Sequence, residues 1–176
     1  MSLSLTGERL VLRETIRDEL PQLLNIYNSN PGYNQLRNGF GIVTLAELET
    51  EYDSTMGIPS GYWLTVYAGE QIVGIMHLIV TNPADQKSWI SLLLIHANFQ
   101  RKGYGREAVQ LAEGLCASEG SLHVHHGVYR SKRAGPAVLG QARLRTVSPG
   151  SCTSRSSGAA CSSRSQMAVT VTRIRR

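Results

Sequence analysis

Apolar and polar positions along the chain switch between a two-residue and a helical period, and the switches predict its elements. Residues 8–13, Glu-Arg-Leu-Val-Leu-Arg, read as a short first strand. Leu20, Leu23, Leu24 and Tyr27 form one stripe of a helix that Asp18 would cap, with Pro21 tolerated in its first turn. Residues 28–41 carry Asn, Pro and Gly throughout and predict turns. Thr44 and Glu47 make a capping box, and Leu45, Leu48, Tyr52 and Met56 follow at helical spacing. Residues 62–68 and 71–80 are strand-like runs separated by Gly69-Glu70, which predicts a hairpin. After a turn at residues 82–85, an apolar run at 88–96 reads as a buried strand. Ala108, Leu111, Ala112 and Leu115 then recur at i, i+3, i+4 and i+7, the apolar face of a helix that Glu119-Gly120 ends. Residues 121–129 read as one more strand.

The candidate chemistry lies between the strand at 88–96 and the helix after it, in Gln100, Arg101, Lys102, Gly103, Tyr104, Gly105 and Arg106. A strand, a glycine-rich turn and a helix start leave several backbone N–H groups without helical acceptors, a setting suited to an anion. Gly103 and Gly105 permit close backbone approach and positive φ, while Arg101, Lys102 and Arg106 add fixed positive charge. A pyrophosphate is the expected guest. The segment lacks the Gly-Lys-Ser/Thr of a nucleotide-hydrolysing P-loop. It fits a loose G-x-G-x-x-A dinucleotide fingerprint, but residues 120–126 supply no carboxylate at the distance that fingerprint requires.

The run from Ile95 through Phe99 to Gly105 resembles the Q/R-x-x-G-x-G/A signature of the GNAT N-acetyltransferases and the strand before it. The resemblance covers roughly residues 8–131 and implies an α+β fold, a mostly antiparallel sheet flanked by helices. It implies acetyl-CoA as co-substrate, its pyrophosphate on the loop and its pantetheine arm on Leu93, Leu94 and Ile95. The strand at 121–129 would run parallel to that at 88–96, with the co-substrate in a splayed gap between them. The implied activity is direct acetyl transfer to a primary amine, carried by a small molecule or a peptide. Glu47, Glu49, Glu51, His77 and His96 are candidates for the base, and no acid is assigned. Glu47, Glu49, Glu51 and Asp53 could form an acidic wall for a cationic amine, although a solvated helix face is the simpler reading. The rival functions are a non-catalytic acyl-CoA-binding module, a decayed acetyltransferase and a dinucleotide-binding protein. Dimerisation, common in the family, is left open.

Charge distribution removes an apparent nucleic-acid signal. The net charge of +5 combines 8 Lys+Arg and 13 Asp+Glu in residues 1–129 with 10 Lys+Arg and no acid in residues 130–176. The basic character therefore belongs to a Ser/Gly/Arg-rich tail, and neither nucleic acid nor membrane is expected as a partner. The absence of a long apolar run makes a cytoplasmic protein the default. Three cysteines without C-x-x-C spacing imply neither a disulfide framework nor a zinc site. His123 and His125 share a strand face beside His126, but no acid or suitably spaced Cys follows, so no metal is expected.

The family pattern breaks near Ser131. A short helix and a Phe/Leu-Tyr/Trp-x-Lys-Leu-Gly-Phe segment should follow, and residues 132–176 show neither. Residues 138–145, Val-Leu-Gly-Gln-Ala-Arg-Leu-Arg, can be encoded GTT CTG GGG CAA GCT CGG CTT CGN. Without the first base this reads Phe-Trp-Gly-Lys-Leu-Gly-Phe. The expectation is thus an acetyltransferase domain at 1–131 followed by an out-of-frame tail at 132–176, with a true basic, disordered tail as the alternative. Such a tail would leave the strand at 121–129 without its next neighbour and an apolar sheet face uncovered, so that the chain as written folds poorly.

Overall fold

A computed structural model describes residues 2–129 and 167–174. Seven strands form one sheet in chain order: β1 (Ser4–Thr6), β2 (Val11–Glu14), β3 (Gly61–Ala68), β4 (Gln71–Ile79), β5 (Ser88–Ile95), β6 (His123–Tyr129) and β7 (Met167–Arg173). All neighbours are antiparallel except β5 and β6, which are parallel. The helices are α1 (Leu20–Asn28), α2 (Pro31–Asn38), α3 (Leu45–Met56) and α4 (Tyr104–Ser118). The expected α+β architecture and the parallel pair are both present.

The sheet carries two cores. On one face Ala108, Ala112 and Cys116 of α4 pack on Leu64, Val66, Met76, Leu78 and Ile90. On the other, Leu20, Leu23 and Tyr27 of α1 and Leu48 and Tyr52 of α3 meet Trp63, Ile75, Leu92 and Leu94. Of the three helical stripes legible in the sequence, those of α1 and α3 thus cover one face and that of α4 the other, as a two-sided sheet requires. Gly69, at φ 61°, turns β3 into β4, with Ala68 opposite Gln71 as the hairpin signal predicts. Thr44 accepts from the Glu47 N–H while the Glu47 carboxylate takes the Thr44 N–H, so the predicted capping box opens α3. Among the described residues no helix is long and apolar enough to cross a membrane.

Five expectations are corrected. The strand expected at 8–13 begins only at Val11, and a separate β1 precedes it: Gly7 donates to Leu10 O, and the N–H groups of Arg9 and Leu10 go to the Glu107 carboxylate instead of a neighbouring strand. Asp18 does not cap α1, because a 3-10 turn, Arg17–Glu19, precedes that helix and places Glu19 at its cap position. Residues 28–41 contain α2: Pro31 suits a helix start, and Gly39 at φ 80° ends it. Met56, on the expected apolar stripe of α3, is 53% exposed, whereas its neighbour Thr55 is buried. Finally, β6 does not lack a neighbour: β7 pairs with it from His123↔Arg173 to Tyr129↔Met167. The shifted-frame segment at 132–145 lies outside the described residues.

Candidate functional site

The parallel pairing of β5 with β6 covers only Ser88, Ile90 and the residue between them. Beyond Ile90 the strands part, and one long edge of β5 opens into a gap. The parting coincides with an irregularity opposite β4: Leu78 faces Ile90 and His77 faces Leu92, so Ser91 is an extra residue, a β-bulge. Backbone groups alternate along a strand. His96 N–H donates to Val73 O on β4, whereas Ile95 O accepts from Gln100 Nε2 (2.9 Å) and Asn30 Nδ2 (3.2 Å) on the other side. By that alternation Leu93 N–H, Leu93 C=O and Ile95 N–H face the gap. An extended ligand lying along β5 would find strand-like partners there.

At the end of the gap the chain makes a 3-10 turn (Ala97–Phe99) and enters the glycine loop. Arg101 at φ 62° and Gly103 at φ 86° both take the left-handed region, which tightens the loop against the start of α4. Among the described residues, none accepts from the backbone N–H of Arg101, Lys102, Gly103, Tyr104, Gly105 or Arg106. The first such group to be satisfied, Glu107 N–H, donates to Gly103 O at 3.2 Å. These are the orphan donors of a helix N-terminus together with the loop that leads into it, at the positive end of a fifteen-residue helix. The Lys102 ammonium lies 5.0 Å from the Phe99 ring centroid, so its stem stays close to the loop.

The side chain of Gln100 is engaged within the protein. Its amide donates to Ile95 O and to Asn30 Oδ1 (2.7 Å), tying the loop to the end of β5 and to the α1–α2 junction. Asn30, which the sequence reading placed in a turn, is the third member of that knot.

The candidate bases are spread over several elements. Glu47 is exposed and held by Thr44, whose backbone and hydroxyl hold its carboxyl below the ordinary carboxylate range. Glu51 takes two bonds from Arg37 (3.0 and 2.6 Å) and one from Tyr27 Oη (3.4 Å). Asp53 is paired with Arg17. Three of the four carboxylates on α3 are therefore engaged, and Glu49 is the fourth. His96 Nδ1 accepts from Asn98 N–H (3.2 Å) and its ring meets Phe99 edge-on.

His77 sits deepest. It is 8% exposed, with Nδ1 bonded to Ser91 Oγ at the bulge and Nε2 buried without a partner among the described residues. Burial, and then the Arg37 charge, lower its pKa to about 4. A neutral imidazole with so low a pKa stores a proton poorly at neutral pH; its hydrogen bond instead fixes the Ser91 hydroxyl beside the gap. Neighbouring Trp63, whose ring centroid is 6.2 Å away, also has a buried Nε1 without an acceptor, so two unsatisfied polar atoms lie under this part of β5. On β6, His125 stacks on Trp89 at 4.9 Å. Among the described residues no three His, Cys, Asp or Glu side chains form a group suited to a metal ion.

Sequence reasoning missed Arg9, Asn30 and Ser91. None lies in a motif, and each reaches the site through a partner that is distant in the chain or through an irregularity in strand pairing.

The fold has counterparts among solved structures. An acetyltransferase from Thermus thermophilus superposes with a TM-score of 0.71 at 22% identity, covering 94% of this chain and 97% of that one. An acetyl transferase from Salmonella typhimurium that modifies the N-terminal serine of a 50S ribosomal subunit protein gives 0.71 at 14%, covering 96% and 97%. A spermidine N-acetyltransferase from Vibrio cholerae, in complex with CoA and spermine, gives 0.57 at 18%, covering 70% and 73%. No curated protein matches by sequence. Residues 21–134 match the acetyltransferase (GNAT) family. That span holds the splayed strands, the bulge and the glycine loop together, and with it the chain belongs to the GNAT family of acetyltransferases.

Proposed function

We propose that this protein transfers the acetyl group of acetyl-CoA directly to a primary amine. The observation that carries the reading is the continuity of the open edge of β5 with the unsatisfied N–H groups of residues 101–106. One extended ligand with a pyrophosphate at its far end matches both. In this reading Leu93, Leu94 and Ile95 lie along the pantetheine arm, while Arg101, Lys102, Gly103, Tyr104, Gly105 and Arg106 hold the pyrophosphate. Gln100 supports the loop from behind.

The reaction then takes place at the head of the gap, near Ser91. The neutral amine nitrogen attacks the thioester carbonyl, the C–S bond breaks, and the proton that the nitrogen gives up on forming the amide balances the one taken up by the departing CoA thiolate. Backbone N–H groups at the bulge and at Leu93 are the available donors for the developing oxyanion. The buried His77 keeps Ser91 in place and keeps this end of the site uncharged.

The relatives acetylate a protein N-terminus or spermidine, and both acceptors are amines. The engaged carboxylates on α3 favour an acceptor of low charge over a polyamine, because Glu51 and Asp53 already have cationic partners. The test is isothermal titration with CoA, followed by thiol release from acetyl-CoA in the presence of amino-terminal peptides, polyamines and small amines. Binding with turnover on at least one amine supports the reading. Binding without turnover on any of them favours an acyl-CoA-binding module, and preferential binding of NAD would favour a dinucleotide protein.

A further inference from the structure

Arg9 lies outside the glycine loop in sequence and grips it in space. Its Nη1 donates to Lys102 O (2.9 Å), its Nε to Glu107 Oε2 (2.9 Å) and its backbone N–H to Glu107 Oε1 (2.7 Å). Its guanidinium also lies over the Tyr104 ring, 5.2 Å from the centroid. Leu10 N–H adds a further bond to Glu107 Oε1 at 3.0 Å. One side chain thereby touches residues 102, 104 and 107 around the helix start, although about half of its own surface is exposed.

Two physical consequences follow. In a trans peptide the C=O and the next N–H point in opposite directions. Drawing Lys102 O toward Arg9 therefore turns Gly103 N–H away from Arg9, to the side left for an anion. Glu107, in addition, places a full negative charge in the first turn of α4. A carboxylate there is favourable to the helix dipole but repels an incoming pyrophosphate. The guanidinium against it cancels that repulsion. On this side the loop borders a cleft of about 350 Å³ lined in part by Gly7, Arg9, Gly103 and Glu107, so polar contacts and not dense packing hold it.

We propose that Arg9 is a positioning residue for the pyrophosphate of the acyl donor, orienting Gly103 N–H and neutralising Glu107 without touching the reacting atoms. The inference rests on the acetyl-CoA reading above. It goes beyond that reading in assigning an effect on the pyrophosphate, and not on pantetheine or amine, to the turn between β1 and β2.

The experiment compares the wild-type chain with Arg9→Gln and Arg9→Lys, using CoA and pantetheine as titrants and acetyl-CoA and S-acetylpantetheine as donors. Losing charge-assisted bonds at this place predicts CoA binding about tenfold weaker in Arg9→Gln, with pantetheine binding unchanged. The KM for acetyl-CoA should rise to match, while kcat, the KM for the amine and kcat/KM for S-acetylpantetheine stay near wild type. Arg9→Lys should be intermediate, because one ammonium restores the charge but cannot reach Lys102 O and Glu107 with the same fork. Equal losses with both donors would show general support of the fold and overturn the proposal, as would undiminished CoA binding in Arg9→Gln. A wild-type chain that fails to bind CoA overturns the acetyl-CoA reading itself, and this inference with it.

Discussion

Arg37 and Glu51 form a two-point ion pair, Nη2 to Oε1 at 2.6 Å and Nη1 to Oε2 at 3.0 Å, with each side chain about three-quarters buried. The pair joins α2 to α3, and Tyr27 of α1 donates to the same carboxylate. A largely buried pair of this kind costs little while intact, but breaking it strands a charge. Glu51→Ala should therefore destabilise the protein by about 3 kcal/mol. Thr44→Ala, which removes a cap, should cost about 1 kcal/mol. Asp53→Ala, at an exposed pair, should cost least of the three. Urea unfolding of the three variants checks the ranking; equal costs would mean that burial does not decide it.

Gly103 is a second sensitive point. Its φ of 86° disfavours any side chain, and an added Cβ would come within 3.1 Å of Arg9 Nη2. Gly103→Ala should cost about 1–2 kcal/mol in stability and weaken CoA binding by disturbing the Arg9 grip. Gly105→Ala, whose Cβ would meet only Ile95 at 3.9 Å, should be tolerated in the fold. Thermal unfolding and CoA titration of the two variants separate these outcomes.

Acid should loosen the protein through its buried histidines. Burial lowers the pKa of His77 to about 4, so as pH falls below about 6.5 the unfolded chain takes up a proton that the folded chain refuses. The stabilisation is complete above pH 6.5 and is lost progressively toward pH 4, by about 3 kcal/mol at most. His126, also lowered by burial, adds in the same direction. His77→Gln should flatten the stability curve between pH 6.5 and 4.5 relative to wild type. An unchanged slope in that variant would assign the effect to other groups.

The pairing of β7 with β6 makes the end of the chain structural. Removing residues 167–176 would expose seven residues of β6 as an open strand edge. The shortened protein should self-associate at concentrations where the full chain does not, as sedimentation velocity would show. A monodisperse, equally stable shortened chain would mean that β6 needs no neighbour.

Much of the fold was legible because its signals are local. A hairpin needs its turn, a capping box spans four residues, and the stripe of α4 is a matter of spacing. The glycine loop was legible for the same reason, since a strand, a positive-φ turn and a helix start follow one another without a break. The three helical stripes could be read, but which face of the sheet each covers could not. α2 was missed because Asn, Pro and Gly suit its ends as well as they suit turns, and only the burial of Asn34, whose Nδ2 donates to Tyr27 O and Gly41 O, distinguishes the two.

By itself the sequence determined the order from α3 through the β3–β4 hairpin, β5 and α4 to β6, and the motif at residues 100–106 on which the family resemblance rests. Only the tertiary structure decided how the site is held. Arg9 meets Glu107 across 98 positions, Gln100 meets Asn30 across 70, and Ser91 reaches His77 through a bulge between two strands. Periodicity records which side of an element is apolar, and that is a property of neighbours along the chain. A polar contact between distant residues depends on where the sheet brings two turns together, which is set when the cores on both faces pack.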